Sequence, residues 1–151
     1  MGQSNDLPRR ETFNLNIAVN NDNFYCVEML SSEIVLPDNS IQIYPGEKLF
    51  IEIEYVKNEI KRMKSVKKNL NPGMTLVISF SQKTDGKIHK EMILKMENPF
   101  KKKLIYRANM FLMKPNLWEQ TSVIPVVPKR ISYETWSYII ITLALSGWEF
   151  R

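Results

Sequence analysis

A chain of 151 residues with 44% hydrophobic and 25% charged side chains has the composition of a folded protein rather than a disordered one. Its length suits one domain that buries roughly 70% of the surface its unfolded form exposes. The formal net charge is +5 and Cys26 is the single cysteine, so an intrachain disulfide and CxxC-type metal or redox motifs are excluded.

The opening MGQSNDLPRRET has no apolar core of the kind a signal peptide needs, and residues 1–12 are expected to form a flexible segment ahead of one domain at 13–151. Two settings follow: cytoplasmic, or periplasmic or secreted if Met1-Gly2 is a cloning scar on a mature exported chain. The myristoylation pattern wants Ser or Thr at the sixth position, where Asp6 stands. No N-x-[ST] sequon occurs.

Phe13, Leu15, Ile17 and Val19 alternate with polar or small residues, and Leu49, Ile51, Ile53 and Tyr55 alternate with Lys48, Glu52 and Glu54. Both stretches read as strands buried on one face. Between them Pro37-Asp38-Asn39 and Pro45-Gly46 mark turns that leave short strands at 33–36 and 41–44. The segment 57–70, KNEIKRMKSVKKNL, departs from this rhythm: Ile60, Met63, Val66 and Leu70 follow a helical spacing, with Asn58 as N-cap, Glu59 in the first turn, Lys67 and Lys68 in the last, and Asn71-Pro72-Gly73 as the stop. A short amphipathic helix over 58–70 is predicted; the alternative is a long, ragged hairpin.

Met74, Leu76, Ile78 and Phe80 form the next inward face. Thr84-Asp85-Gly86 then turns the chain into a strand at 88–96, since Asp-Gly readily takes the positive φ of a tight β-turn. Strands at 104–113 and 118–127, the latter broken by Pro125, precede the tail SYIIITLALSGWEF. The uncharged stretch from Trp136 to Trp148 is too short to cross a bilayer, which takes roughly 20 residues. Read with period two, it is a strand with Ile139, Ile141, Leu143 and Leu145 on one face, and Gly147 permits a bulge before Trp148 and Phe150.

Charge is uneven: residues 1–56 carry a net −6, residues 57–107 a net +10 and the remainder +1. On a helix over 58–70, Lys57, Lys61, Lys64 and Lys68 fall on one stripe, a candidate contact for an anionic surface such as nucleic acid, polysaccharide or membrane. Lysines without arginine forks or interleaved aromatics are a poor fit to specific nucleic-acid readout, and a solvated helix face plus a basic turn at Lys101, Lys102 and Lys103 is the favoured account of the basic block.

Catalytic chemistry finds little to use. His89 is the sole histidine, set between Lys87 and Lys90 just after the hairpin turn, and reads as a surface residue. Glu52 and Glu54 are paired carboxylates of the kind general acid and base work uses, but on an amphipathic strand a solvent-facing pair explains them, so a hydrolase ranks third. No phosphate loop, metal cluster or cofactor motif occurs. Trp118, Trp136, Trp148, Tyr106, Tyr133 and Phe111 are either a stacking platform for a carbohydrate or peptide, or closures of the core.

The Pro45-Gly46 turn with EKLFIEIEY, then MTLVISF, the Asp85-Gly86 hairpin and the last strand YIIITLAL resemble the strand grammar of immunoglobulin-like and fibronectin type III sandwiches over residues 13–150. The cysteine pair and core tryptophan of antibody domains are absent. NPFKKKLIYRANMFLM and ETWSYIIITLALSGWEF also resemble small uncharacterised secreted proteins of bacteria, which implies export and no assigned activity; neither resemblance carries a catalytic residue over to this sequence. The expectation is an all-β, antiparallel sandwich of about eight strands with one inserted helix, acting as a non-enzymatic binding or structural module without cofactor. Its partner would be a protein or glycan met through strand edges and loops, with docking on an anionic surface through residues 57–68 as the alternative.

Overall fold

Hydrophobic residues at alternate positions force the long segments into sheets that bury one face each, and the computed structural model, which describes residues 4–151, packs two such sheets together. The expectations attached to Met1 and Gly2 lie outside the described residues. The strands are β1 (Arg9–Arg10), β2 (Phe13–Ala18), β3 (Phe24–Met29), β4 (Ser32–Glu33), β5 (Ile41–Ile43), β6 (Lys48–Val56) and β7 (Glu59–Val66), then β8 (Thr75–Asp85), β9 (Ile88–Glu97), β10 (Leu104–Leu112), β11 (Trp118–Thr121), β12 (Ile131–Trp136) and β13 (Ile140–Phe150). One sheet runs β12-β9-β8-β6-β7 and the other β11-β10-β13-β5, all antiparallel. Two ribbons, β1-β4 and β2-β3, complete the sandwich.

Leu49, Ile51 and Ile53 of β6 meet Leu76, Ile78 and Phe80 of β8 and the β9 methionines on one side of the main core. Ile41 and Ile43 of β5, with Leu143 and Leu145 of β13, close the other. A second, smaller core of Leu15, Ile17, Tyr44 and Ile141 lies under the β2-β3 ribbon. Ile141 is therefore buried, but not with Leu143. The β10-β13 register skips it between Phe111↔Thr142 and Leu112↔Ile140, and this irregularity sends Ile140 into the main core and Ile141 to the opposite face.

The helix predicted near 58–70 is absent: residues Glu59–Val66 form β7, and the one helical element among the described residues is a 3-10 turn at Pro72–Met74. Register explains the misleading pattern. Glu54 pairs with Arg62 and Tyr55 with Ile60, so Lys61 is an extra, bulged residue. That inserted residue lets Ile60 and Met63, three apart, both pack on the main core, which imitates helical spacing. Val66 is buried beside Phe50 on the other face, and Leu70 is exposed. The hairpin in turn sets Glu52 opposite Lys64 and Glu54 opposite Arg62, cross-strand neighbours of opposite charge that a helix would have separated.

The N-terminal segment also departs from expectation. Asp6 bridges to Val66, Leu7 N–H donates to Ser65 O at 3.0 Å and Lys67 N–H to Asn5 O at 2.8 Å, so Asn5–Leu7 lies antiparallel along the end of β7. Pro8 cannot donate a ladder bond, and after it the chain leaves β7 to pair as β1 with β4. Arg10, only 6% exposed, is the pin. Its guanidinium donates to both Glu47 oxygens (2.9 and 3.0 Å), to Ser32 Oγ, to Glu33 O and to Gln42 O, and lies over the Tyr44 ring.

Candidate functional site

Because β7 is the last strand of its sheet, one row of its backbone groups faces away from β6. The chain itself covers part of that row with Asn5–Leu7, up to Ser65. Ladder alternation then aims the N–H and C=O of Met63 into the space that opens where Pro8 turns away. That space is a groove of about 490 Å³ between β7 and the 33–39 segment, lined by Arg62, Met63, Lys64 and Ser65 on one wall, Val35, Leu36 and Pro37 on the other, and Asp6, Pro8 and Arg9 at its closed end. Lys64 is engaged by Asp6 at 3.1 Å, and Arg9 is held by Ser31. Ser65 Oγ is buried without a hydrogen-bond partner. The arrangement combines an unpaired edge, apolar walls and cations beside the backbone row, the features on which strand addition draws.

The four lysines expected on one stripe do not form one. Lys57 occupies the β6-β7 turn with φ of 57°, Lys61 is the bulge and bonds Glu59 at 3.1 Å, Lys64 pairs with Asp6, and Lys68 lies beyond the strand. At about 3.3 Å per residue an extended chain separates Lys57 from Lys68 by roughly 35 Å, against about 16 Å on a helix. Extension therefore disperses the patch. Glu52 and Glu54 remain on the outer face, where Asn71 Nδ2 donates to Glu52 at 3.0 Å, and they face Lys64 and Arg62 across the strands rather than each other across a cleft.

His89 is half-buried rather than a plain surface residue. Gln82 Nε2 and its Nδ1 lie 2.9 Å apart, and its Nε2 lies 2.9 Å from Ser137 O. Gln82 in turn receives Ala18 N–H and donates to Ala18 O, so the imidazole accepts at Nδ1 and donates at Nε2. The chain thus ties the end of β2 to the β8-β9 hairpin, a structural use of the residue. Cys26 is exposed on β3.

The aromatic residues divide between core and surface instead of meeting in one platform. Trp136 is buried with its Nε1 donating to Thr121 Oγ1 at 2.8 Å, and Trp148 stacks on buried Tyr106 at 5.3 Å. Trp118 leans on Phe111 at the far edge, and Tyr133 is exposed on β12. Burial pushes the Tyr106 phenol far above its ordinary value, with the Glu134 carboxylate adding to the shift. Among the described residues no three His, Cys, Asp or Glu side chains gather as metal ligands, and no helix is long and apolar enough to cross a membrane.

Sequence reasoning missed the groove and Arg10. The signal for Arg10 was its place two residues after Pro8 and next to Glu11-Thr12, which carries no periodicity to read. Comparisons with family models, with curated proteins and with solved structures gave no match.

Proposed function

We propose that this protein is a non-enzymatic recognition module that takes an extended segment of a protein partner onto the free edge of β7. The observation that carries the reading is that the chain's own Asn5–Leu7 already adds to that edge and stops at Pro8, leaving an open groove in line with it. Main-chain bonds to Met63 would supply affinity, and the apolar wall of Val35, Leu36 and Pro37 would select side chains at alternate positions. The architectural resemblance to immunoglobulin-like and fibronectin type III sandwiches supports the reading, because such frames hold edges and loop ends rigid. The resemblance to small secreted bacterial proteins supports an exported setting. A glycan partner fits this edge less well, since the exposed aromatics lie elsewhere.

A selection from a library of extended peptides tests the reading. Selected peptides are expected to shift the amide resonances of residues 59–65 and 33–39 and to lose binding to Arg62→Glu/Lys64→Glu. Peptides that bind only elsewhere, or none that bind, would reject it. A screen against esterase, glycosidase, phosphatase and peptidase substrates is expected to give no turnover, and a turnover lost in Glu52→Gln would replace the binding module with a hydrolase.

A further inference from the structure

Although the predicted lysine stripe is dispersed, folding assembles a different basic surface from segments far apart in sequence. At the end of the sandwich opposite the β8-β9 hairpin tip, four pieces of chain converge: the β6-β7 turn, the turn from β9 to β10, the turn before β12 and the last residues. Lys102 Nζ donates to Lys57 O at 2.9 Å and to Asn58 Oδ1 at 2.5 Å. Lys103 and Arg151 exchange two backbone bonds of 2.9 Å, and Lys129 N–H donates to Phe100 O at 3.1 Å. Buried Asn98 fastens the turns to one another: its N–H donates to Arg130 O, its Nδ2 to Lys102 O and Val126 O, and its Oδ1 accepts from Phe100 N–H.

The side chains that surround this scaffold are mostly of one sign. Lys57, Lys101, Lys103, Lys129 and Arg130 are exposed there and join Lys102 and Arg151. Of the nearby carboxylates, Glu149 is taken up by Arg151 at 2.6 Å and Glu59 by Lys61, and Glu97, opposite Ile131, shares a concavity with Lys129 and Arg130, which leaves the cations in excess. Two of the lysines also sit where a lysine is unfavourable. Lys57 and Lys129 have φ of 57° and 60°, the left-handed region that suits glycine or asparagine. The turns keep a cation where their backbone favours another residue, and such strain points to use.

Beside these cations stand exposed aliphatic side chains: Val56, 59% exposed, precedes Lys57, and Val127, 55% exposed, precedes the Lys129-Arg130 turn, with Ile131 just after it. Phe100 and Phe150 are buried against Tyr55 and half-buried Trp148 is stacked on Tyr106, while Tyr133, two residues beyond Ile131, is exposed; one open ring falls short of the row of rings on which successive bases stack. We propose that this end of the sandwich docks on an anionic lipid bilayer, with the lysines against phosphate headgroups and Val56 and Val127 entering the interface. A soluble polyanion would satisfy the cations and leave the aliphatic side chains in water; a bilayer surface accommodates both. This surface is separate from the β7 groove, and Lys57 is the one member of the expected stripe that belongs to it.

Co-sedimentation with vesicles tests the proposal, using phosphatidylcholine alone and phosphatidylcholine mixed with phosphatidylglycerol. The whole chain should bind only the anionic vesicles, more weakly as salt rises. Lys57→Gln/Lys101→Gln/Lys103→Gln/Lys129→Gln should lose on the order of a thousandfold in affinity, from roughly fivefold per lysine near an anionic surface. The matched set at the opposite end, Lys83→Gln/Lys87→Gln/Lys90→Gln/Lys114→Gln, should bind almost as the unaltered chain does. Val56→Ser/Val127→Ser should remove the binding that persists at physiological salt. The unaltered chain supplies a readout free of folding effects: a paramagnetic headgroup lipid should broaden the amides of residues 56–59, 100–103 and 127–131 and spare 83–90. Equal losses from both lysine sets, broadening at the hairpin tip, absence of vesicle binding at low salt, or preference for heparin or duplex DNA over the anionic vesicles would each overturn it.

Discussion

Arg10→Met removes a buried charge at nearly constant volume, and the structure makes its cost large. The guanidinium's five donor positions are all used, on Glu47, Ser32, Glu33 and Gln42. After the change Glu47, whose side chain is 18% exposed, keeps only the Tyr44 N–H, and two carbonyls lose a donor. Breaking a buried, hydrogen-bonded ion pair in this way costs about 3–5 kcal/mol, a large part of the ~5–15 kcal/mol that holds a typical domain folded. With a urea slope near 2 kcal/mol/M the unfolding midpoint should fall by roughly 1.5–2.5 M. Arg10→Met/Glu47→Leu should lose less than the two single changes together, because the second removes the charge that the first strands. Hydrogen exchange should accelerate at Leu7 and Ile34, whose N–H groups donate to Ser65 O and Pro8 O as parts of the segment that Arg10 pins. A loss below about 1 kcal/mol with unchanged exchange would place the pair among ordinary surface ion pairs and refute the reasoning.

Ile51→Ala in the main core and Ile141→Ala in the second should each cost about 2–5 kcal/mol by thermal or urea unfolding. Gly147→Ala should cost about 1–2 kcal/mol, because Gly147 has φ of 64° and a Cβ there would come within 2.8 Å of the Arg107 guanidinium carbon. Lys57→Gly should raise stability by about 1 kcal/mol, since glycine suits the positive φ of that turn position. The pH dependence follows from two tyrosines. Burial pushes the Tyr44 and Tyr106 phenols above the ordinary 10.0, in Tyr44 against the pull of the Arg10 guanidinium. The folded chain thus holds protons that the unfolded chain releases, so stability is complete below pH 10.0 and is lost as pH rises beyond it. Ultraviolet titration should show these phenols ionising at higher pH in the folded chain than in the urea-unfolded chain, and Tyr106→Phe should flatten the alkaline loss.

Period-two alternation was enough, by itself, to establish the sheets. β2, β6, β8, β9 and β10 stand where their alternating residues place them, and the Asp85-Gly86 turn closes the β8-β9 hairpin. The core residues Leu49, Ile51, Ile53, Leu76, Ile78 and Leu143 were legible for the same reason, since burial of one face is written in every second residue. Strands whose faces are mixed were not. β3 alternates weakly because the ribbon it forms with β2 is exposed on its outer side, and β12 carries Tyr133 and Ile131 outward. A bulge adds one residue and resets the period, so β7 imitated a helix and Ile141 left the face of Leu143. Local pattern carries no information about such insertions, because the unpaired residue is defined by the partner strand. The same limit applies to sites. The pinned N-terminal segment, the groove it leaves open beside Met63 and the basic end around Asn98 each join segments tens of residues apart, and long-range pairing alone brings those groups within hydrogen-bond reach.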